Sequence, residues 1–482
     1  MRYISKSKYL AALQCEKLLW THYNRKQLIA PPGPDTLWIF KQGHETGSLA
    51  QQIAPGGVEV PFARMATTVE ATRKLLPARK PIYEASFSAA GVYCRVDILR
   101  PADNGRWDLL EVKSSTQVKE VNINDIAIQR YCLENADIEL NRVYLVHLDR
   151  SYVRDGEIDP MRMFHAEDVT ERVDAVYDSI APNMQRFLAL LDGPEPEVAI
   201  GPQCSKPYDC PLKNRCWGFL PEHDVTTFAR AGAKAFEWID RGWLRVSDVP
   251  SSELSDAQRV QAAAVKSGQP QVDQAAVQEW LDQLEYPLLL LDFEAMATAV
   301  PLLDGTSPWQ AVPFQVSVHV IDSPGAEPRH LEFLATTADD PRPELVRFLT
   351  GLPLHGSVVA WHMYYERAIL DRLIPVFPDA ADELRSLSDR LVDLEEPFRQ
   401  FAYYHPEQRG STSIKAVLPA LAGMSYAGDA IEGGQQAARE YVQAVHTPVD
   451  PGERERVLAA LRKYCEKDTW AMVEILRVLE GA

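Results

Sequence analysis

Nowhere in this 482-residue chain does an apolar run approach the roughly 18–20 residues that a membrane helix needs, so no membrane association is expected. The opening stretch MRYISKSKYLAALQCEK lacks the apolar core of a secretory signal, which predicts a cytoplasmic, reducing setting. Seven cysteines in such a setting argue against a disulfide framework and for ligands or core residues. No internal repeat or low-complexity tract is present, which sets aside stacked-repeat and fibrous architectures. The eleven histidines show no ligand-like spacing. Positive charge is also short: the net charge is −18, and the acidic surplus lies mostly after residue 225. That excludes a broad phosphate-binding surface in the C-terminal half. It still allows a narrow groove whose carboxylates are offset by metal ions, or an acidic face for a protein partner.

What is present is ordinary for a globular α/β protein. Apolar residues make up 46% and charged residues 24%, enough for real cores, and the length suggests two to four domains. Three regions stand out: 1–220, which mixes helices with a strand pair; 221–284, with helical spacing in AGAKAFEWIDRGWL, SDAQRVQAAAVKSG and DQAAVQEWLDQL; and 285–482, where strands alternate with helices.

The stretch CSKPYDCPLKNRC sets Cys204, Cys210 and Cys216 at equal steps, with Pro207 and Pro211 shaping a loop able to wrap one metal centre. Zinc or a four-iron cluster needs a fourth ligand. Cys94, Cys132 and Cys465 sit in apolar segments and read as buried small hydrophobes. Cys15, outside those segments, is the candidate fourth ligand. The spacing alone leaves zinc and iron–sulfur both open.

Residues 91–99 (GVYCRVDIL) and 107–113 (WDLLEVK) alternate as two strands, joined by the turn-forming pair Asn104–Gly105. Asp97, Glu111 and Lys113 then fall on neighbouring strands, and Glu111 and Lys113 share a face. Two carboxylates can hold Mg²⁺ or Mn²⁺, and a lysine beside them can activate water or stabilise charge developing on phosphate. This D…ExK arrangement resembles the PD-(D/E)xK nuclease core. IAIQRY, with Gln129, is similar to the glutamine motif of the RecB-like branch. One N-terminal cysteine paired with three after the core resembles AddB-type helicase-nucleases and CRISPR-adaptation nucleases. The resemblance implies a restriction-endonuclease-like domain over 1–220, with Cys15, Cys204, Cys210 and Cys216 holding a 4Fe-4S cluster. The chain departs from that branch at KQGHETG, where Gly47 stands in place of a usual histidine and His44 is displaced; Glu84 is then a substitute ligand.

YPLLLLDFEAM, at 286–296, sets Asp292 and Glu294 at the end of a leucine run. A strand there points both carboxylates to one face, and buried carboxylates stay charged only when paired or on a metal. Further acids follow: Glu366 in VVAWHMYYERAIL, and Asp468 four residues after Tyr464 in KYCEKDTWAMVEIL. The order D-x-E, then E, then Y-x-x-x-D resembles the tyrosine subtype of the RNase H-like DEDD exonucleases. It implies Asp292, Glu294, Glu366 and Asp468 as ligands of two metal ions and Tyr464 as the water-orienting residue. Glu366 stands where that family usually has Asp, and His362 where it often has Asn. Asp393 and Lys415 are expected to shape the same site.

The two halves in this order resemble an uncharacterised bacterial family that fuses a RecB-like iron–sulfur nuclease to an RNase H-like exonuclease domain. The expectation is therefore an α/β protein with three parts: a PD-(D/E)xK domain (1–220), a helical connector (221–284) and an RNase H-like mixed-sheet domain (285–482). Its function would be metal-dependent hydrolysis of DNA, on single strands or ends, in repair, recombination or mobile-element defence. The rival readings are RNA processing, or one catalytic domain with the other as a binding module.

Overall fold

The computed structural model describes residues 2–481. The chain forms two units, one running to Gly218 and including Thr298–Gln310, the other Phe219–Ala297 with Ala311 onward. The 221–284 stretch is thus part of the second unit rather than a separate connector, and the link between two strands of the second unit is surrendered to the first. Both units are mixed α/β, as the alternating strand and helix patterns predict.

The first unit is built on a seven-stranded sheet. Its strands are β1 (Ile4–Ser5), β2 (Val58–Glu59), β3 (Ile82–Ala89), β4 (Val92–Pro101), β5 (Trp107–Lys113), β6 (Leu140–Leu148) and β7 (Phe164–Asp168), ordered 2-3-4-5-6-7 with β1 also on β4. β4 and β5 run antiparallel, Ile98 opposite Leu110, and β5 runs parallel to β6, Glu111 opposite Leu145. The turn between β4 and β5 needs Gly105, whose φ is +80°. The helix Glu120–Glu134 follows β5 and buries Ile123, Ile126, Ala127 and Ile128 in the core beside Val96 and Leu109. The borrowed segment Thr298–Gln310 is fastened by Gln42 Oε1, which accepts from Ala299 N at 2.8 Å. Arg154 Nη1 also donates to the carbonyls of Pro301 and Leu302, each at 2.8 Å.

The second unit contains β8 (Gln271–Val272), β9 (Leu288–Met296), β10 (Val312–Ile321), β11 (Arg329–Leu334), β12 (Val358–Ala360), β13 (Leu391–Asp393) and β14 (Tyr403–Tyr404). Five of them make a sheet in the order 11-10-9-12-13, antiparallel from β11 to β9 and parallel from β9 to β13; β8 pairs with β14. The leucine run has a direct cause in this placement. β9 is central, and Leu288 to Leu291 are all 0% exposed. Leu289 and Leu291 enter the core with Val316, Leu345, Ile369 and Leu384. Each buried leucine contributes about 1.5–3 kcal/mol, enough to offset a cost at the strand's end. The long helix Pro451–Glu480, capped by Asp450 accepting from Gly452 N and Glu453 N, packs on β9 and β10.

Candidate metal centres

At the end of β9 the strand period puts Asp292 and Glu294 on one face. The helix Pro451–Glu480 delivers Asp468 to the same place, and one oxygen from each of the three lies within 4.8 Å of the others. Among the described residues no other group of three Asp, Glu, His or Cys side chains converges so closely. Glu366, in the first turn of the helix Tyr364–Leu373, is buried, and its Oε2 has no hydrogen-bond partner. Among the described residues none of these four carboxylates is ion-paired with a cation; the nearby Lys467 pairs with Asp429 instead.

Their electrostatics follow from that isolation. Burial, reinforced by the Asp468, Glu294 and Glu366 carboxylates, drives Asp292 well above the usual range. Burial and Asp468 push Glu294 up to about 8; burial, with Asp393 nearby, pushes Glu366 up to about 8. Asp468 rises only to about 6, because the hydroxyls of Tyr426 and Tyr464 and the ammoniums of Lys415 and Lys467 counter its burial. The Tyr426 hydroxyl faces Asp468 without settling into regular hydrogen-bond geometry with any group. Cys465 lies beside the site, its thiol 3.7 Å from Asp292 Oδ2. A set of oxygen donors this crowded and this poor in counter-charge suits a hard divalent cation.

Asp393 is not one of the converging acids. Its Oδ1 accepts from His362 N at 3.0 Å and Glu395 N at 3.1 Å, and Oδ2 accepts from Arg399 at 2.9 Å. It therefore braces the turn that presents Glu366, where His362 has a left-handed φ of +61°. His362 Nδ1 is tied to Glu395 Oε2 at 2.8 Å and points no ligand at the acids.

The first unit holds a second acid cluster of different character. Glu111 is fully buried on β5 and every one of its partners is a donor. Lys113 Nζ reaches Oε1 at 2.6 Å, Lys6 Nζ reaches both oxygens at 2.8 and 3.0 Å, and Gln129 Nε2 reaches Oε2 at 2.8 Å. Lys113 also bonds Asp125 Oδ2 at 2.6 Å. Asp97 Oδ2 accepts from Val112 N at 2.7 Å. Burial would raise Glu111, but the two ammoniums overcome it and hold the carboxyl below its usual range. Asp97, desolvated and facing Glu111, rises to about 7 against the opposing pull of Lys6 and Lys113. Gln129 Oε1 remains buried and unpartnered.

Asp97, Glu111, Lys113 and Gln129 are thus brought together. Two members of the cluster were not legible. Asp125 stands four residues before Gln129 on one helix face, a spacing that could have revealed it; Lys6 comes from the chain's start with no spacing signal. Glu84 sits in β3 with φ +57° and pairs with Arg95 at 3.0 Å; the register sets it across from Asp97, between the pairs Tyr83–Ile98 and Ala85–Val96. His44 is exposed on the helix Pro34–Ala50.

Cys15, Cys204, Cys210 and Cys216 line one small pocket with Leu212 and Ile200. All four are free thiols, and burial raises Cys15 and Cys210. Gln14, beside Cys15, donates through Nε2 to the carbonyls of Gln203 at 2.8 Å and Tyr208 at 2.6 Å, which fixes the cysteine-rich loop against the helix Lys6–Gln14. Cys94, Cys132 and Cys465 are buried elsewhere.

A family described as a domain of unknown function, DUF2779, matches residues 289–413, which span β9 to the turn before Lys415. No curated protein matches the chain.

Proposed function

We propose that the protein is a metal-dependent nuclease with a restriction-endonuclease-like first unit and an RNase H-like second unit, and that the second unit trims nucleic acid from a 3′ end. One observation carries the reading: Asp292, Glu294 and Asp468 converge within 4.8 Å, with Glu366 buried close by and, among the described residues, no cation ion-paired with any of them. Such a centre fits Mg²⁺ or Mn²⁺ held by Asp292, Glu294, Glu366 and Asp468. When bound, these ions supply positive charge to the attacked phosphate. The protein's own groups do the rest. Tyr464, beside Asp468, orients the attacking water, and the apolar floor from Leu288 to Leu291 keeps the ligands fixed. Water adds to phosphorus, the bond to the preceding nucleotide's 3′ oxygen breaks, that oxygen takes the proton, and a nucleoside 5′-monophosphate leaves.

In the first unit Asp97 and Glu111 would hold a divalent ion, and Lys113 would stabilise charge on the phosphate. The four thiols that line one pocket would hold a four-iron cluster, one thiolate to each iron. One observation favours a second reading, in which the first unit grips nucleic acid without cutting: Lys6 occupies both oxygens of Glu111.

End-labelled single- and double-stranded DNA, with RNA in parallel, tests both. Mg²⁺- or Mn²⁺-dependent shortening should be abolished by Asp292→Asn. Shortening that survives Asp292→Asn together with Lys113→Ala overturns the assignment of both sites.

A further inference from the structure

Lys415 stands at the rim of the second unit's acid centre, yet forms no ion pair with it among the described residues. It is the second residue of the helix Ile414–Ala422 and is exposed. Its ammonium lies 5.5 Å from the ring centroid of Tyr426 and 5.8 Å from that of Tyr464, and it donates to the carbonyl of Glu432. That placement is close enough for its charge to act on both Glu294 and Asp468.

The chain opposite Lys415 is stripped of side chains. A Cβ on Gly433 would stand 3.0 Å from Lys415 Nζ, and one on Gly434 would stand 3.4 Å from Glu294 Oε2. Gly434 begins the thirteen-residue helix Gly434–His446, whose first amides have no intrahelical acceptor. Beneath Lys415, Tyr426 is 4% exposed and its hydroxyl faces Asp468. An exposed ammonium and the amides of a helix start therefore border four acids that form no ion pair among the described residues, and the glycines keep the space between them open.

We propose that Lys415, with the amides at Gly433–Gly434, forms the seat for the phosphate of the terminal nucleotide, so that the site recognises nucleoside 5′-monophosphate chemistry. The inference rests on the nuclease reading of the second unit. Helix amides and an ammonium are complementary to a phosphate's non-bridging oxygens. Lys415 makes and breaks no bond; it is a substrate-binding lysine. The backbone carbonyl of Glu432 holds the ammonium off the carboxylates, so metal ions and lysine can act on the phosphate from different sides.

The test uses the full chain with Mn²⁺ and compares the unaltered protein with Lys415→Ala, Lys415→Arg and Gly433→Ala. Trimming is measured with an oligonucleotide, and inhibition with a nucleoside 5′-monophosphate and with the same nucleoside lacking phosphate. Lys415→Ala should raise both KM and the inhibition constant of the monophosphate by about 10- to 100-fold, the loss of one charge-assisted hydrogen bond. Inhibition by the nucleoside should not change. Lys415→Arg should recover part of the loss, and Gly433→Ala should weaken monophosphate binding by displacing the ammonium. Thermal shift of the Mn²⁺-loaded proteins with the monophosphate reads the same preference without turnover. If the unaltered protein trims but Lys415→Ala keeps its preference for monophosphate over nucleoside, the phosphate seat is wrong and the nuclease stands. If the unaltered protein trims nothing and no monophosphate binds, both fall.

Discussion

Glu294 and Glu366 give the second acid centre a measurable signature. Each is pushed from an ordinary carboxylate value up to about 8 by burial, with Asp468 beside the first and Asp393 near the second. A folded-state pKa above the unfolded one means that the folded protein binds more protons through that window. The destabilisation is absent below the unfolded value of about 4.5, grows as pH rises, and is complete above about 8. The metal-free protein should therefore melt at progressively lower temperature across that range. Mn²⁺ should restore the loss most strongly at the alkaline end, by binding the folded state alone. Asp292→Asn should flatten the pH slope and abolish the Mn²⁺ response; a scanning fluorimetry series with both proteins checks this. In the first unit Lys113→Ala should lower any cleavage that survives in an Asp292→Asn background by about 10²–10⁴-fold, while nucleic-acid binding persists. Such residues were readable because strand and helix periods alone place Glu111 with Lys113, Asp292 with Glu294, and Tyr464 with Asp468. Lys6 was not readable, since its contact with Glu111 spans 105 residues and only the finished fold creates it. Tyr426, in a loop after the helix Ile414–Ala422, was missed for the same reason.

Among elements, β9 shows how much a short sequence can dictate. Four consecutive leucines made a central strand the economical reading, since only a strand covered on both faces can bury every one of them. What the run could not disclose is where its neighbours begin. β12 is only three residues long, and its alignment with β9 is set outside the strand, where Ser357 N donates to Glu285 O at 2.7 Å and Leu289 N donates to Ser357 O at 2.9 Å. Gly356 makes that approach feasible. Its φ is +84°, and a Cβ there would lie 2.0 Å from Pro287 O. Gly356→Ala should cost about 2–4 kcal/mol in chemical denaturation of the full chain, because both strain and overlap fall on backbone that cannot yield. Gly423, with φ +66° and nothing within 4 Å of a Cβ, separates the two causes: its alanine variant should lose only about 1 kcal/mol. The helices of 221–284 were visible from spacing. Their membership in the second unit was not, because it depends on pairings such as β8 with β14 that join residues far apart in the chain.

At the scale of the whole molecule the two acid clusters differ in how they balance charge. The first carries Lys6 and Lys113 as ion-paired counter-ions; the second has no ion pair among the described residues, only Lys415 and Lys467 acting from its rim, and must hold most of its charge through bound cations or give it up to protons. The thiol pocket adds a third device, and it joins distant parts of the first unit. Cys15 ends the helix that begins at Lys6, while Cys204, Cys210 and Cys216 come almost two hundred positions later in the chain. A group bound by all four thiols would close that long loop in the folded state and stabilise it through linkage. Without it that task falls to Gln14, bonding the carbonyls of Gln203 and Tyr208, to a small apolar cluster around Leu18 and Leu212, and to Glu195, which pairs with Lys17 and with Arg215. Protein prepared without oxygen should therefore be brown and contain iron and sulfide. Cys15→Ser or Cys210→Ser should remove the colour and sensitise the loop around Cys204–Cys216 to limited proteolysis. Gln14→Ala should leave the colour but increase proteolysis once iron is chelated, because the hydrogen bonds and the bound group then no longer support each other. Stoichiometric zinc in place of iron after anaerobic preparation would overturn the cluster assignment. Loops equally resistant in the serine variants and the unaltered protein would show instead that Gln14 and the apolar cluster suffice to hold the two chain segments together.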